Sequence, residues 1–151
     1  MLLKMSRENL SVKIKFEPDS DLIVGEAPSG KSLTIRLSED PSPLELMLIA
    51  LGACAAVDAY NVLTIRGGAV KVIEISLNCK YVRERNSYLD EISMTYNIEA
   101  EKVGRKEAEE AIKLSLEKYC SVGNILRRKV EIKPPIVKLR KIKSKSRGFN
   151  A

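Results

Sequence analysis

The chain has 151 residues, 44% hydrophobic and 30% charged, with a formal net charge of +6; that is enough for one domain with a real core and short for an enzyme with a separate cofactor domain. It contains no histidine, which removes His-based acid–base catalysis, Ser-His and Cys-His nucleophile pairs and almost every familiar zinc constellation. The net charge is local: Lys138, Arg140, Lys141, Lys143, Lys145 and Arg147 lie in the last stretch with no acid among them, and the rest of the chain is neutral.

At the start, Met1-Leu2-Leu3 is followed at once by Lys4, too short an apolar segment for a signal peptide, so a cytoplasmic location is expected. Residues 11–17 alternate, with Val12, Ile14 and Phe16 against Lys13, Lys15 and Glu17, which predicts a half-buried strand. Pro18-Asp19-Ser20-Asp21 is turn chemistry, and residues 22–24 give a short partner strand. After Pro28-Ser29-Gly30, a third strand sets Leu33, Ile35 and Leu37 on one face and Thr34 and Arg36 on the other.

Residues 42–68 read as a long, nearly all-apolar helix with Cys54 at its middle. Ser42 is its N-cap, Pro43 its first helical residue and Glu45 the carboxylate that completes a capping box. No charge occurs between Leu46 and Val57; Asp58, Asn61 and Arg66 follow, and Gly67-Gly68 end the element. The uncharged run is too short to span a bilayer, which predicts a buried helix in a soluble protein with no membrane partner.

Period-two alternation then returns. Ile73, Ile75, Leu77, Cys79 and Tyr81 share one phase, and after a turn over residues 83–87 the set Ile92, Met94, Tyr96 and Ile98 makes an antiparallel return strand. Residues 105–119 predict an amphipathic helix with Ala108, Ala111, Ile112, Ser115, Leu116 and Tyr119 on the buried arc. Cys120 begins a further helical turn through Leu126, and a strand over residues 129–133 stops at Pro134-Pro135. The domain is expected to cover residues 1–137. Residues 138–151 are expected to form a poorly ordered, solvated basic tail rather than a nucleic-acid-binding arm, and with Phe149 as its one aromatic the tail offers no stacking platform for single strands.

Any chemistry must come from cysteine. Each of Cys54 and Cys120 is open to two readings, a small buried hydrophobe or a reactive thiol. Cys120 lies outside the apolar arc and at a helix start, where free backbone N–H groups favour a thiolate. Cys79 is in phase with an apolar strand face and reads as core. Three cysteines in a cytoplasmic chain do not make a disulfide framework.

Ser42-Pro43-Leu44-Glu45-Leu46 running to Leu51-Gly52-Ala53-Cys54, followed after a hairpin by residues 111–115 and by Lys118-Tyr119-Cys120-Ser121-Val122, resembles the OsmC/Ohr family of osmotically inducible and organic hydroperoxide resistance proteins. The resemblance covers residues 12–132. It implies an α+β fold with antiparallel sheets wrapped around two central helices in an intertwined homodimer. It implies a thiol peroxidase in which Cys54 attacks a peroxide and Cys120 resolves the sulfenic acid to a disulfide, with no metal or other cofactor. Regeneration by a small dithiol or a lipoyl-bearing protein is implied too. The family activates its thiol with an arginine held by a glutamate, and Arg36 and Glu45 are the matching candidates, although the family's glutamate directly follows the proline, where this chain has Leu44. Glu45 also has its simpler reading as the capping-box residue. A non-catalytic binding protein of the same fold, holding an apolar molecule in the dimer crevice, is the alternative.

Overall fold

The computed structural model describes residues 9–143. By compactness the chain divides into two units, one ending at Leu46 and one beginning at Met47. The first holds three strands, β1 (Lys13–Glu17), β2 (Leu22–Glu26) and β3 (Ser32–Arg36), in an antiparallel meander. The β1–β2 connection is a single 3-10 turn, Pro18–Ser20, closed by Asp21 in the left-handed region (φ 56°). Ile14 and Phe16 face the same side as Ile23, Leu33 and Ile35, while Arg36 stands on the other side, opposite Leu22. The alternation that predicts these strands also predicts their faces.

Helix α1 (Pro43–Ile65) starts where the capping chemistry requires. The Glu45 carboxylate accepts from the Ser42 N–H at 2.8 Å and from the Ser42 hydroxyl at 2.7 Å. Ser42 Oγ in turn accepts from the Glu45 N–H at 3.3 Å. At the far end Gly67 takes φ 88°, and its N–H and that of Gly68 bond to the Thr64 and Leu63 carbonyls, the αL termination that glycine allows. With 23 residues α1 is long and apolar enough to cross a bilayer by length and composition. Its uncharged run nevertheless stops at Asp58, and Leu51, Ala55, Ala59, Val62 and Leu63 are buried by the chain itself, while most of the remaining helix surface is left uncovered in the single chain.

In the second unit β4 (Ala69–Val82) and β5 (Tyr88–Glu101) form a long antiparallel hairpin. Ile92, Met94, Tyr96 and Ile98 are almost wholly buried, as their phase predicts. Tyr81 is instead 42% exposed, next to a register shift between Lys80 and Tyr81 that breaks the shared face. Helix α1 crosses close over β4 at Gly52, where an added Cβ would lie 3.2 Å from a Leu77 methyl.

Helix α2 (Arg105–Leu114) is shorter than its amphipathic pattern. Residues Ser115–Tyr119 widen into a π turn, closed by the Cys120 N–H on the Ser115 carbonyl at 2.9 Å, before α3 (Ser121–Leu126). The wider turn rotates the next residues about the helix axis. Tyr119, expected on the buried arc, is therefore 49% exposed, while Cys120, expected off it, is fully buried. The Arg127 guanidinium donates to the Leu116 and Glu117 carbonyls that the turn leaves free.

Strands β6 (Glu131–Ile132) and β7 (Ile136–Lys141) both run parallel to β5, one after the other along the same edge. Pro134-Pro135 is thus a gap in that edge. The basic stretch is ordered over residues 138–141: Val137 is buried, Lys138 and Arg140 face outward, and Arg140 pairs with Glu99 at 2.6 Å. The expected loose tail fails there because its cations are the solvent side of an alternating strand. Lys145, Arg147 and Phe149 lie outside the described residues.

Candidate active site

Cys54 and Asp58 are four residues apart on α1, so both project from one face of the helix. The Cys54 thiol donates to Asp58 Oδ2 across 3.7 Å. Cys120 reaches the same place from the start of α3, where it is the N-cap and its Sγ accepts the Gly123 N–H at 3.4 Å. The two sulfurs and the Asp58 carboxylate oxygen lie within 4.8 Å of one another, with Cys120 buried and the other two half-buried. Residues far apart in sequence are joined here because the π turn aims Cys120 inward.

Tyr96, on the buried face of β5, is fully enclosed, and its hydroxyl has no hydrogen-bond partner. Burial holds that phenol far above its ordinary range, with the charges of Cys120 and Asp58 adding to the effect. A cavity of about 430 Å³ adjoins Asp58, walled by Asn61, Val62, Ile65 and Arg66 of the α1 end and by Leu114 and Tyr119.

The electrostatics of Cys120 depart from the sequence expectation. Burial pushes its thiol up to about 11; the Gly123 amide pulls it down, and Cys54 and Asp58 raise it again. The helix start does favour the thiolate, but enclosure in an apolar site opposes it more strongly. Cys79 lies on β4 outside the cluster, half-buried, its thiol also raised by burial.

Arg36 and Glu45 belong to the first unit. Arg36 is exposed, its guanidinium 3.7 Å from Glu39 and its backbone N–H bonded to Asp40 Oδ2 at 2.7 Å. The Glu45 carboxylate is occupied with Ser42, whose hydroxyl and backbone N–H hold it below the usual carboxylate range. The capping role of Glu45 is thus present, and among the described residues Arg36 and Glu45 form no ion pair with each other. Sequence reasoning does not single out Asp58 or Tyr96 as site residues. The spacing of Asp58 from Cys54 is a usable signal; Tyr96 gives none, since an in-phase tyrosine looks like any other core residue.

Fold and site together define an α+β protein with a paired-thiol centre between a long apolar helix and the start of a short one. A profile of OsmC-like proteins matches residues 36–134, and the chain belongs to that family. Protein YhfA of Escherichia coli K12 is 29% identical over 112 residues, covering 72% of this chain and 84% of the relative. A hypothetical protein from Aquifex aeolicus VF5 superposes with a TM-score of 0.79 at 28% identity, covering 91% of this chain and 100% of its own. An organic hydroperoxide resistance protein from Elizabethkingia anophelis shares the fold, with a TM-score of 0.66 at 14% identity over 90% of this chain and 99% of its own.

Proposed function

We propose that the protein is a cysteine-based peroxidase acting on organic hydroperoxides or hydrogen peroxide. The observation that carries this is the approach of the Cys54 and Cys120 sulfurs within 4.8 Å, one half-buried and one enclosed. The accessible Cys54 thiolate attacks the O–O bond, giving Cys54 sulfenic acid and releasing the alcohol or water. Cys120 attacks that sulfur and expels water, leaving a Cys54–Cys120 disulfide. An external dithiol, small or lipoyl-borne, returns both thiols. In this reading Arg36 is the cation that favours the Cys54 thiolate and Glu45 the carboxylate that orients it. Each would exchange its present exposed contact, with Glu39 or Ser42, for the other.

The reading includes a homodimer. Ile49, Val57 and Tyr60 form one stripe on α1 and remain 53%, 60% and 47% exposed in the single chain, an apolar face that a second copy would cover.

The test is non-reducing mass spectrometry before and after one equivalent of an organic hydroperoxide. Wild type is expected to lose two hydrogens as the Cys54–Cys120 disulfide, Cys120→Ser to stop at or beyond the sulfenic acid on Cys54, and Cys54→Ser to remain unchanged. Thiols that stay reduced in wild type overturn the proposal. The cavity beside Asp58 supports the second reading, a binder of small apolar molecules, for which ligand capture by Cys54→Ser would equal that of wild type.

A further inference from the structure

The cluster at Cys54 has a property that disulfide chemistry does not use: its third member, Asp58, is an anion placed against two thiols. Its carboxylate accepts from the Cys54 thiol at 3.7 Å and lies within 4.8 Å of the Cys120 sulfur, a contact to which the thiol–disulfide step gives no role. Asp58 has no salt bridge among the described residues.

We propose that reduced Cys54, Asp58 and Cys120 bind one thiophilic divalent cation of the zinc type, as a two-sulfur, one-oxygen site with an open fourth position. This goes beyond the peroxidase reading and does not depend on it. In a tetrahedral site with zinc–sulfur bonds of about 2.3 Å and zinc–oxygen bonds of about 2.1 Å, ligand atoms stand about 3.6–3.8 Å apart. The Cys54–Asp58 separation is 3.7 Å, and all three ligand atoms already fall within 4.8 Å. Small side-chain rotations would close the site. Soft thiolates with one hard oxygen select zinc over magnesium or calcium.

Two further groups fit a metal site. The Gly123 N–H points at Cys120 Sγ, the kind of donor that supports a metal-bound thiolate. The fully buried Tyr96 hydroxyl, without any partner, is an O–H donor that feels the charges of Cys120 and Asp58. On binding, each thiol gives its proton to solvent as its sulfur–metal bond forms, and no electron is transferred. With both sulfurs occupied, neither can react with peroxide, so the cation and the peroxide compete for one centre.

The experiment is anaerobic titration of the reduced, chelator-stripped full chain with cobalt(II), followed by displacement with zinc(II). One cobalt per chain is expected, with thiolate-to-cobalt charge-transfer absorption and the intense visible bands of tetrahedral cobalt. Cys79→Ser should leave these unchanged. Asp58→Asn, nearly isosteric and checked for native circular dichroism, should weaken binding at least about tenfold, and Tyr96→Phe by a smaller factor. Absence of the charge-transfer band, its loss in Cys79→Ser, or unaltered affinity in Asp58→Asn overturns the proposal. Peroxide consumption by the metal-free protein is measured separately. Binding without turnover refutes the peroxidase reading alone, and turnover without binding refutes the metal site alone.

Discussion

Asp58 sits one helical turn beyond Cys54 and bears on the chemistry of both cysteines. Its charge is among the causes that raise the Cys120 thiol to about 11, so at neutral pH only a small fraction of Cys120 is thiolate, and the resolving step is limited by that fraction. Because the thiolate is the reacting form, the rate rises with pH. Disulfide formation after a peroxide pulse should speed up as the pH rises from neutral, by up to about tenfold per pH unit, as read by stopped-flow thiol consumption under single turnover. Asp58→Asn removes one of the raising influences, so its profile should move to lower pH and its rate at pH about 7 should rise, by less than about tenfold because burial, the largest cause, remains. A slower resolving step in Asp58→Asn would mean that Asp58 acts as a proton acceptor, and the electrostatic explanation would fall.

Among the elements, the ones that carry strong periodicity are legible in the sequence: the β4–β5 hairpin and the amphipathic start of α2 come from spacing alone, and the α1 cap comes from Ser42, Pro43 and Glu45. The illegible parts have local causes. The π turn over Ser115–Tyr119 has no compositional mark, yet it exchanges Tyr119 for Cys120 on the buried side and so makes the site. Strand β7 is hidden because Lys138, Arg140 and Lys141 outweigh Val137 and Leu139 in any reading by charge. The meeting of Cys54 with Cys120 is a property of the fold, reachable from the sequence only through family resemblance. The α1–β4 junction offers a test of the packing that fixes Cys54. A Cβ at Gly68 would collide with a Val103 methyl and lie 3.0 Å from the Leu63 carbonyl oxygen. Gly68→Ala should therefore lower the urea unfolding free energy by about 1–3 kcal/mol. Gly52→Ala, which meets only the flexible end of Leu77 at 3.2 Å, should cost less, since alanine's helix propensity, better by about 1 kcal/mol, offsets the crowding. Equal losses for the two would contradict this picture of the junction.

At the scale of the whole molecule, the proposed dimer answers an imbalance in α1. A helix apolar on every side needs cover on every side, and a chain of this size covers α1 fully only at Leu51, Ala55, Ala59, Val62 and Leu63. Ile49, Val57 and Tyr60 lie on the opposite side, at steps of eight and three residues, close enough in angle to form one stripe. Leaving them in water forfeits about 25 cal/mol for each Å² of apolar surface that a partner would bury. A second copy meeting the same stripe makes a self-complementary, two-fold contact, which closes without growing into a filament. Sedimentation of the wild-type protein at micromolar concentration should thus give about twice the 16.8 kDa chain mass. Val57→Glu sets a charge at the centre of the stripe and, across a two-fold axis, brings two like charges together. It should shift the equilibrium to single chains while the far-ultraviolet circular dichroism stays native. Since Cys54 lies on the same helix as Val57, disulfide formation under peroxide is then to be measured on the monomeric variant. Retained turnover would show that one chain holds a complete thiol centre, with the dimer serving stability. Lost turnover, with Cys54 and Cys120 still titrating as free thiols, would show that the partner copy completes the site. A wild-type protein that sediments as a monomer would rule out the dimer and leave the exposed stripe without its proposed cover.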